Sequence, residues 1–357
     1  MIDFTAVSRE FRGLVDRRRE LFTFLGSVFA AMGLFLQNTL QGGLPGSLAS
    51  IQEHIFAFYA LLLLVLSLIL ALRMARLHGG MVLNGILYAR LMQEQDFTRK
   101  GDPVRSGRHN WFGVSFLQFV LVDLIAAFSA TILALALSSP FWPAFCWGAG
   151  VFVLWVLLYF RFHHQARAFA FRKIASEPCA PFERNEWEGH ISGSLQQANQ
   201  GMITEIAFAG LMVFSVFEAL SGLGKIQAAD TDLATDVVQK HGPLVYGTLM
   251  IVTCFLELII YLRVRVAAGA FCVQLDPTDR PFRPLRLTDS LLGYLLLAFL
   301  FAVSVHVFLV ILTPHLTVIV PELHLSYPVL LSIDAAAFAL AVMAEQITLV
   351  VVGRHWR

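Results

Sequence analysis

Six ionisable residues stand inside or at the edges of long apolar stretches of this sequence, and they are the residues best placed to do chemistry. The set comprises Asp123, Glu218, Glu257, His306, Asp334 and Glu345. A charge at the centre of a bilayer costs about 2.5–3.5 kcal/mol even on the lenient insertion scale, so its presence needs a reason. No arginine or lysine lies deep in these stretches to neutralise the acids. This pattern is typical of a proton relay or a cation path.

Four members of this set are predicted to line a transport path, because they fall within the membrane. At about 1.5 Å per helical residue, Asp123 lies near mid-membrane, His306 outward of the centre, and Glu257 and Glu345 within about 10 Å of the cytoplasmic ends of their stretches. Glu218 and Asp334 are expected near the outer surface and are secondary candidates. A structural role is the alternative, since a protonated acid can hydrogen-bond a neighbouring helix for about 0.6 kcal/mol.

A second group of possible chemical residues consists of histidines between the apolar stretches. They are His78, His109, His163, His164 and His190. Histidine beside carboxylates can bind metal or do acid–base work. However, the sequence contains no H-E-x-x-H, and no two histidines have the i,i+4 spacing of a metal pair. We therefore expect solvated or headgroup-facing side chains here, and no metal or other cofactor.

Motifs of nucleotide chemistry and of nucleophilic catalysis are missing from the sequence. Gly222 to Lys225 resembles the end of a P-loop, but the leading glycine is not at the required spacing and no strand precedes it. Neither G-x-S-x-G nor a kinase motif occurs. We expect a protein without enzymatic activity, and an intramembrane enzyme acting on lipid through the histidines stays open as an alternative.

The composition excludes a soluble fold. Of the 357 residues, 57% are apolar and 14% are charged, whereas about 25% of the residues of an ordinary soluble domain are charged. A net charge of +1 offers no basic surface for nucleic acid, so the expected partner of this chain is the lipid bilayer.

Eight stretches are long and apolar enough to cross a bilayer as helices. They are Leu21–Leu40, Ile55–Leu72, Phe112–Leu137, Phe141–Phe162, Ile206–Leu223, Val245–Leu262, Leu291–Leu312 and Val329–Val352. The third and fourth meet at Pro140, which cannot continue a helix, so we predict a tight turn there. The alternative is that these two stretches merge or that one is re-entrant.

The distribution of basic residues predicts the orientation. Counting Lys and Arg before, between and after the stretches, with Arg161 at the end of the fourth stretch included, gives 24 on one side and 2 on the other, and positive residues stay in the cytoplasm. Both chain ends are therefore expected to be cytoplasmic. Arginine outnumbers lysine 22 to 4, which is typical of GC-rich bacteria and points to a bacterial inner membrane.

Corresponding stretches recur about half a chain length apart. We predict an all-α integral membrane protein with eight transmembrane helices in two parallel four-helix halves, residues 1–180 and 181–357. Apolar residues at helical spacing also predict short cytoplasmic amphipathic helices around Phe4–Leu14, Met81–Leu91 and Trp187–Leu195.

Two functional hypotheses follow from these patterns. The first is a gradient-driven or passive path for protons, small cations or a small solute, enclosed by the two halves or completed in a homo-oligomer. The second is a non-catalytic anchor, sensor or signalling subunit, in which the amphipathic segments dock a cytoplasmic protein partner and the buried acids are structural.

Overall fold

The chain folds as a bundle of long α-helices. The computed structural model describes residues 1–42, 55–95, 114–137, 139–226, 233–275, 288–319 and 326–355. Within these ranges 94% of the residues are helical and none forms a β-strand. The helices are α1 Phe4–Gly42, α2 Ile55–Gln95, α3 Val114–Ala136, α4 Phe141–Ser176, α5 Arg184–Ile226, α6 Leu233–Leu275, α7 Thr288–Ile319 and α8 Tyr327–His355.

Seven helices in the described part of the chain are long and apolar enough to cross a membrane. They contain the segments Ala57–Met92, Val114–Ala136, Phe141–Ser176, Arg184–Glu218, Pro243–Gly269, Leu292–Thr313 and Tyr327–Ala344. The protein is therefore a polytopic, all-α membrane protein in contact with lipid. The first predicted span, Leu21–Leu40, falls within α1, but its side chains beyond Leu34 lie outside the described residues. The eighth span stays a prediction.

The turn predicted near Pro140 separates two helices. Helix α3 ends at Ala136 and α4 begins at Phe141, and the two pack against each other. The approach is close, because a Cβ added at Gly148 would lie 2.2 Å from Oγ1 of Thr131 and 2.6 Å from the carbonyl oxygen of Ala127. The alternative of one merged helix is wrong.

Most helices are longer than a bilayer requires. Helix α2 has 41 residues, and α5 and α6 have 43 each, which corresponds to about 60 Å against a hydrocarbon core of about 30 Å. The prediction of separate short amphipathic helices is wrong. Each predicted segment continues a long helix, because no proline separates it from the neighbouring apolar stretch.

The extensions form a small second core at the end of the bundle that carries the N-terminus, here called the N-terminal end. Its buried members are Ile2, Phe4, Val7, Leu87, Tyr88, Leu91, Met92, Phe182, Trp187 and Ile191. Phe4 stacks on Phe182 with ring centroids 4.2 Å apart, and Ser8 hydrogen-bonds the buried His190. The apolar faces that could have docked a partner are thus covered by one another.

Helices α1 and α5 run in the same direction and touch along most of their lengths. Ser8 pairs with His190 near the start of both helices, and Ser215 donates a 2.8 Å hydrogen bond to the carbonyl oxygen of Phe29 further along. A Cβ at Gly33 would lie 3.0 Å from the backbone of Ser215. Small residues therefore allow these two helices to approach closely in the middle of the bundle.

Candidate functional site

The centre of the candidate site is a pair of glutamates inside the bundle. Glu257 of α6 is fully buried and Glu205 of α5 is 2% exposed. Their carboxyl groups face each other closely enough to interact directly. Both oxygens of Glu257 and Oε2 of Glu205 are buried without a fully formed hydrogen bond among the described residues. Two buried carboxyl groups in contact are the least expected arrangement in a purely structural core, because buried polar groups are normally satisfied.

Two other helices complete the surroundings of the pair. The side-chain amide of Gln118 in α3 donates a hydrogen bond to Oε1 of Glu205. Arg18, in α1 just before its apolar stretch, interacts electrostatically with Glu205. Burial lowers the pKa of the Arg18 guanidinium, and the negative charge of Glu205 opposes that change. Since an arginine stays protonated in proteins, the site holds one fixed positive charge beside the two carboxyl groups.

A chain of polar side chains leads from this pair toward the N-terminal end. Tyr159 of α4 lies near both Arg18 and Ser115, although its buried hydroxyl makes no hydrogen bond among the described residues. Oγ of Ser115 lies 2.6 Å from Nδ1 of His78 in α2, and Nε2 of His78 lies 2.9 Å from Nδ1 of His163 in α4. The His78 ring also stacks on Tyr159, with centroids 4.3 Å apart. Four helices thus contribute to one connected polar network.

Asp123 is a third buried acid, and it lies farther from the N-terminal end than the glutamate pair. It is on α3, five residues after Gln118, or about 7.5 Å further along the helix. Neither carboxyl oxygen has a hydrogen-bond donor among the described residues. Helix α3 packs against α6, which carries Glu257, and also against α2 and α4.

The remaining candidates lie mainly on the last two helices, where His306 and Asp334 form an ion-pair contact. Nδ1 of His306 in α7 lies 2.7 Å from Oδ2 of Asp334 in α8, and these side chains are 33% and 18% exposed. Glu218 is half-buried on α5. The side chain of Glu345 lies outside the described residues, although its backbone belongs to α8. The structure therefore buries Glu257 and Asp123 on two helices that pack against each other. It pairs His306 with Asp334 on the last two helices.

No protein-family model, curated protein or solved structure matches this chain. Its function therefore has to be argued from its own geometry.

The expectation that the histidines are solvated is wrong for three of them. His78, His163 and His190 are buried, whereas His164 is exposed and His109 lies outside the described residues. The reason is that the helices continue past their apolar stretches and pack there. Among the described residues, no three His, Cys, Asp or Glu side chains are grouped as a metal site would require.

Sequence reasoning missed Glu205 and Arg18, because both stand just outside the apolar stretches. Glu205 precedes the stretch that begins at Ile206 by one residue. A signal was present, since the buried residues Met202 and Ala209 lie three and four positions away and place Glu205 on the inward face of α5.

Proposed function

We propose that this protein moves protons or small cations across a membrane through the buried pair of Glu205 and Glu257. The observation that carries the proposal is that these carboxyl groups come from two different helices and face each other where neither lipid nor bulk water reaches them. Like charges in contact resist simultaneous ionisation, so such a pair keeps a proton or accepts a cation, and can exchange either.

The positions of the remaining polar groups support a path and not an isolated pair. Asp123 is a further buried acid, placed beyond the pair on α3, which packs against α6. The network from Tyr159 to His163 leads from the pair toward the N-terminal end. A structural acid would need one partner, whereas this arrangement places ionisable groups at successive depths of the bundle.

Eight spans in two parallel halves are part of the proposal. Helix α1 lies beside α5 as far as Gly33 and Ser215, within the spanning segment of α5, which supports an eighth span. Four helix pairs of the first half have a packed counterpart in the second. The pairs α1–α2, α2–α3, α2–α4 and α3–α4 correspond to α5–α6, α6–α7, α6–α8 and α7–α8. The parallel contact of α1 with α5 suits an axis along the membrane normal.

We further infer that the N-terminal end faces the cytoplasm of a bacterial cell, with the protein in the inner membrane. The 24 to 2 division of Lys and Arg supports this orientation.

Flux measurements in liposomes containing purified protein test the proposal. Wild type should carry protons, potassium or sodium down an imposed gradient, and Glu257→Gln should reduce that flux by about 10²-fold, because it removes the exchangeable group. Glu10→Gln is the matched control, since Glu10 is exposed on α1, eight residues before Arg18; its flux should equal that of wild type.

Absence of flux in wild type under pH, voltage and ion gradients would contradict transport. It would favour the anchoring or signalling subunit. That alternative has no specific structural observation in its favour, since the predicted docking faces are buried against each other.

A further inference from the structure

We propose that the transported species is the proton, and that it enters from the cytoplasmic side through a relay formed by His163, His78 and Ser115. This inference rests on the proposed function, because it assigns the ion and the entrance to the same path.

The relay is a set of consecutive hydrogen bonds across three helices. Nδ1 of His163 is 2.9 Å from Nε2 of His78, and Nδ1 of His78 is 2.6 Å from Oγ of Ser115. An imidazole can accept a proton at one nitrogen and release one from the other, and a hydroxyl both accepts and donates. A proton reaching His163 can therefore leave from Nδ1 to His78, from Nδ1 of His78 to Ser115, and from the Ser115 hydroxyl onward beside Tyr159.

The location of the relay makes it an entrance. His163 directly follows the apolar stretch that ends at Phe162, and its neighbour His164 is exposed. His163 itself is 2% exposed. The relay therefore begins where the apolar stretch of α4 ends, on the side of the bundle that carries the N-terminus.

The composition of the path favours a proton over a metal cation. Na⁺, K⁺ or Ca²⁺ would need several oxygen ligands around a space of its own size, as hard cations do. Here Glu205 meets donor groups instead, namely the amide of Gln118 and the positive charge of Arg18. The relay atoms are in hydrogen-bond contact, which leaves no room for an ion between them but suits proton transfer.

The neighbouring histidines offer a matched test by proton uptake into liposomes. His163→Gln keeps a hydrogen-bonding side chain but cannot pass a proton through a ring, and its proton flux should fall by about tenfold or more. His164→Gln, one residue away and exposed, should conduct as wild type does. In His163→Ala, added imidazole should restore flux, which a purely structural role of the histidine would not produce.

The outcomes separate this inference from the proposed function. If His163→Gln conducts as well as His164→Gln while Glu257→Gln does not conduct, protons enter elsewhere and the relay is wrong. If the wild-type flux is carried by sodium or potassium and no protons move, the assignment of the ion is wrong although the glutamate pair still conducts. If His163→Gln does not fold, failure of imidazole to rescue His163→Ala overturns the relay.

Discussion

Replacing Glu205 and Glu257 together by glutamine is expected to reduce flux no further than replacing either one. Each single change should lower flux by about 10²-fold, because the carboxyl groups act as one proton-exchanging unit and the remaining acid loses its partner. If the two acids acted independently, their effects would multiply, as they do for distant sites. The measurement is a double-mutant cycle of initial flux rates in liposomes with equal protein content.

A control for this cycle pairs Glu257→Gln with the exposed Glu10→Gln, which should show no coupling. Multiplicative effects of Glu205→Gln and Glu257→Gln would contradict the account, since they would mean that the facing carboxyl groups do not work together.

Gly148→Leu is expected to destabilise the fold by about 3 kcal/mol or to prevent folding, at the upper end of overpacking effects. The first added carbon would lie 2.6 Å from the carbonyl oxygen of Ala127, and a helix backbone cannot move aside as a side chain can. The measurement is the temperature at which half of the protein in detergent loses its monodisperse elution.

Gly150→Leu is the control on the same helix. Among the described residues, no atom lies within 4 Å of a Cβ added at Gly150. The helix propensity of leucine is also better than that of glycine, by up to about 1 kcal/mol. This variant should be as stable as wild type or slightly more so. Equal losses in both variants would mean that α3 and α4 do not approach each other as described.

The helices could be predicted from the sequence because lipid allows few alternatives. In a hydrocarbon environment the backbone groups must hydrogen-bond to one another, so a long apolar stretch predicts a helix. Pro140 predicted the turn between α3 and α4 for a local reason. What composition did not reveal was that the helices extend well beyond the membrane. The amphipathic segments were recognised, but their partners were other segments of the same chain.

The candidate site was predictable only in part, because hydropathy does not fix the rotation of a helix about its axis. It singled out Glu257 and Asp123 as acids in an apolar environment, but not which side chains they face. Glu205 and Arg18 were missed because they stand at the edges of their stretches, where charged residues are common and do not by themselves indicate a functional site. The burial of His78, His163 and His190 was not predicted either, since burial at the end of a bundle depends on packing between helices.

The most direct test of the central claim is to ask whether the glutamate pair binds and releases a proton. Infrared difference spectra of the reconstituted protein between acidic and alkaline buffer report the C=O stretch of protonated carboxyl groups. The account predicts that one component of this band is present in wild type and Glu10→Gln and missing in Glu257→Gln, above the signal that the exposed carboxyl groups give in all three. A pH-dependent carboxyl spectrum that is the same in wild type and Glu257→Gln would contradict it.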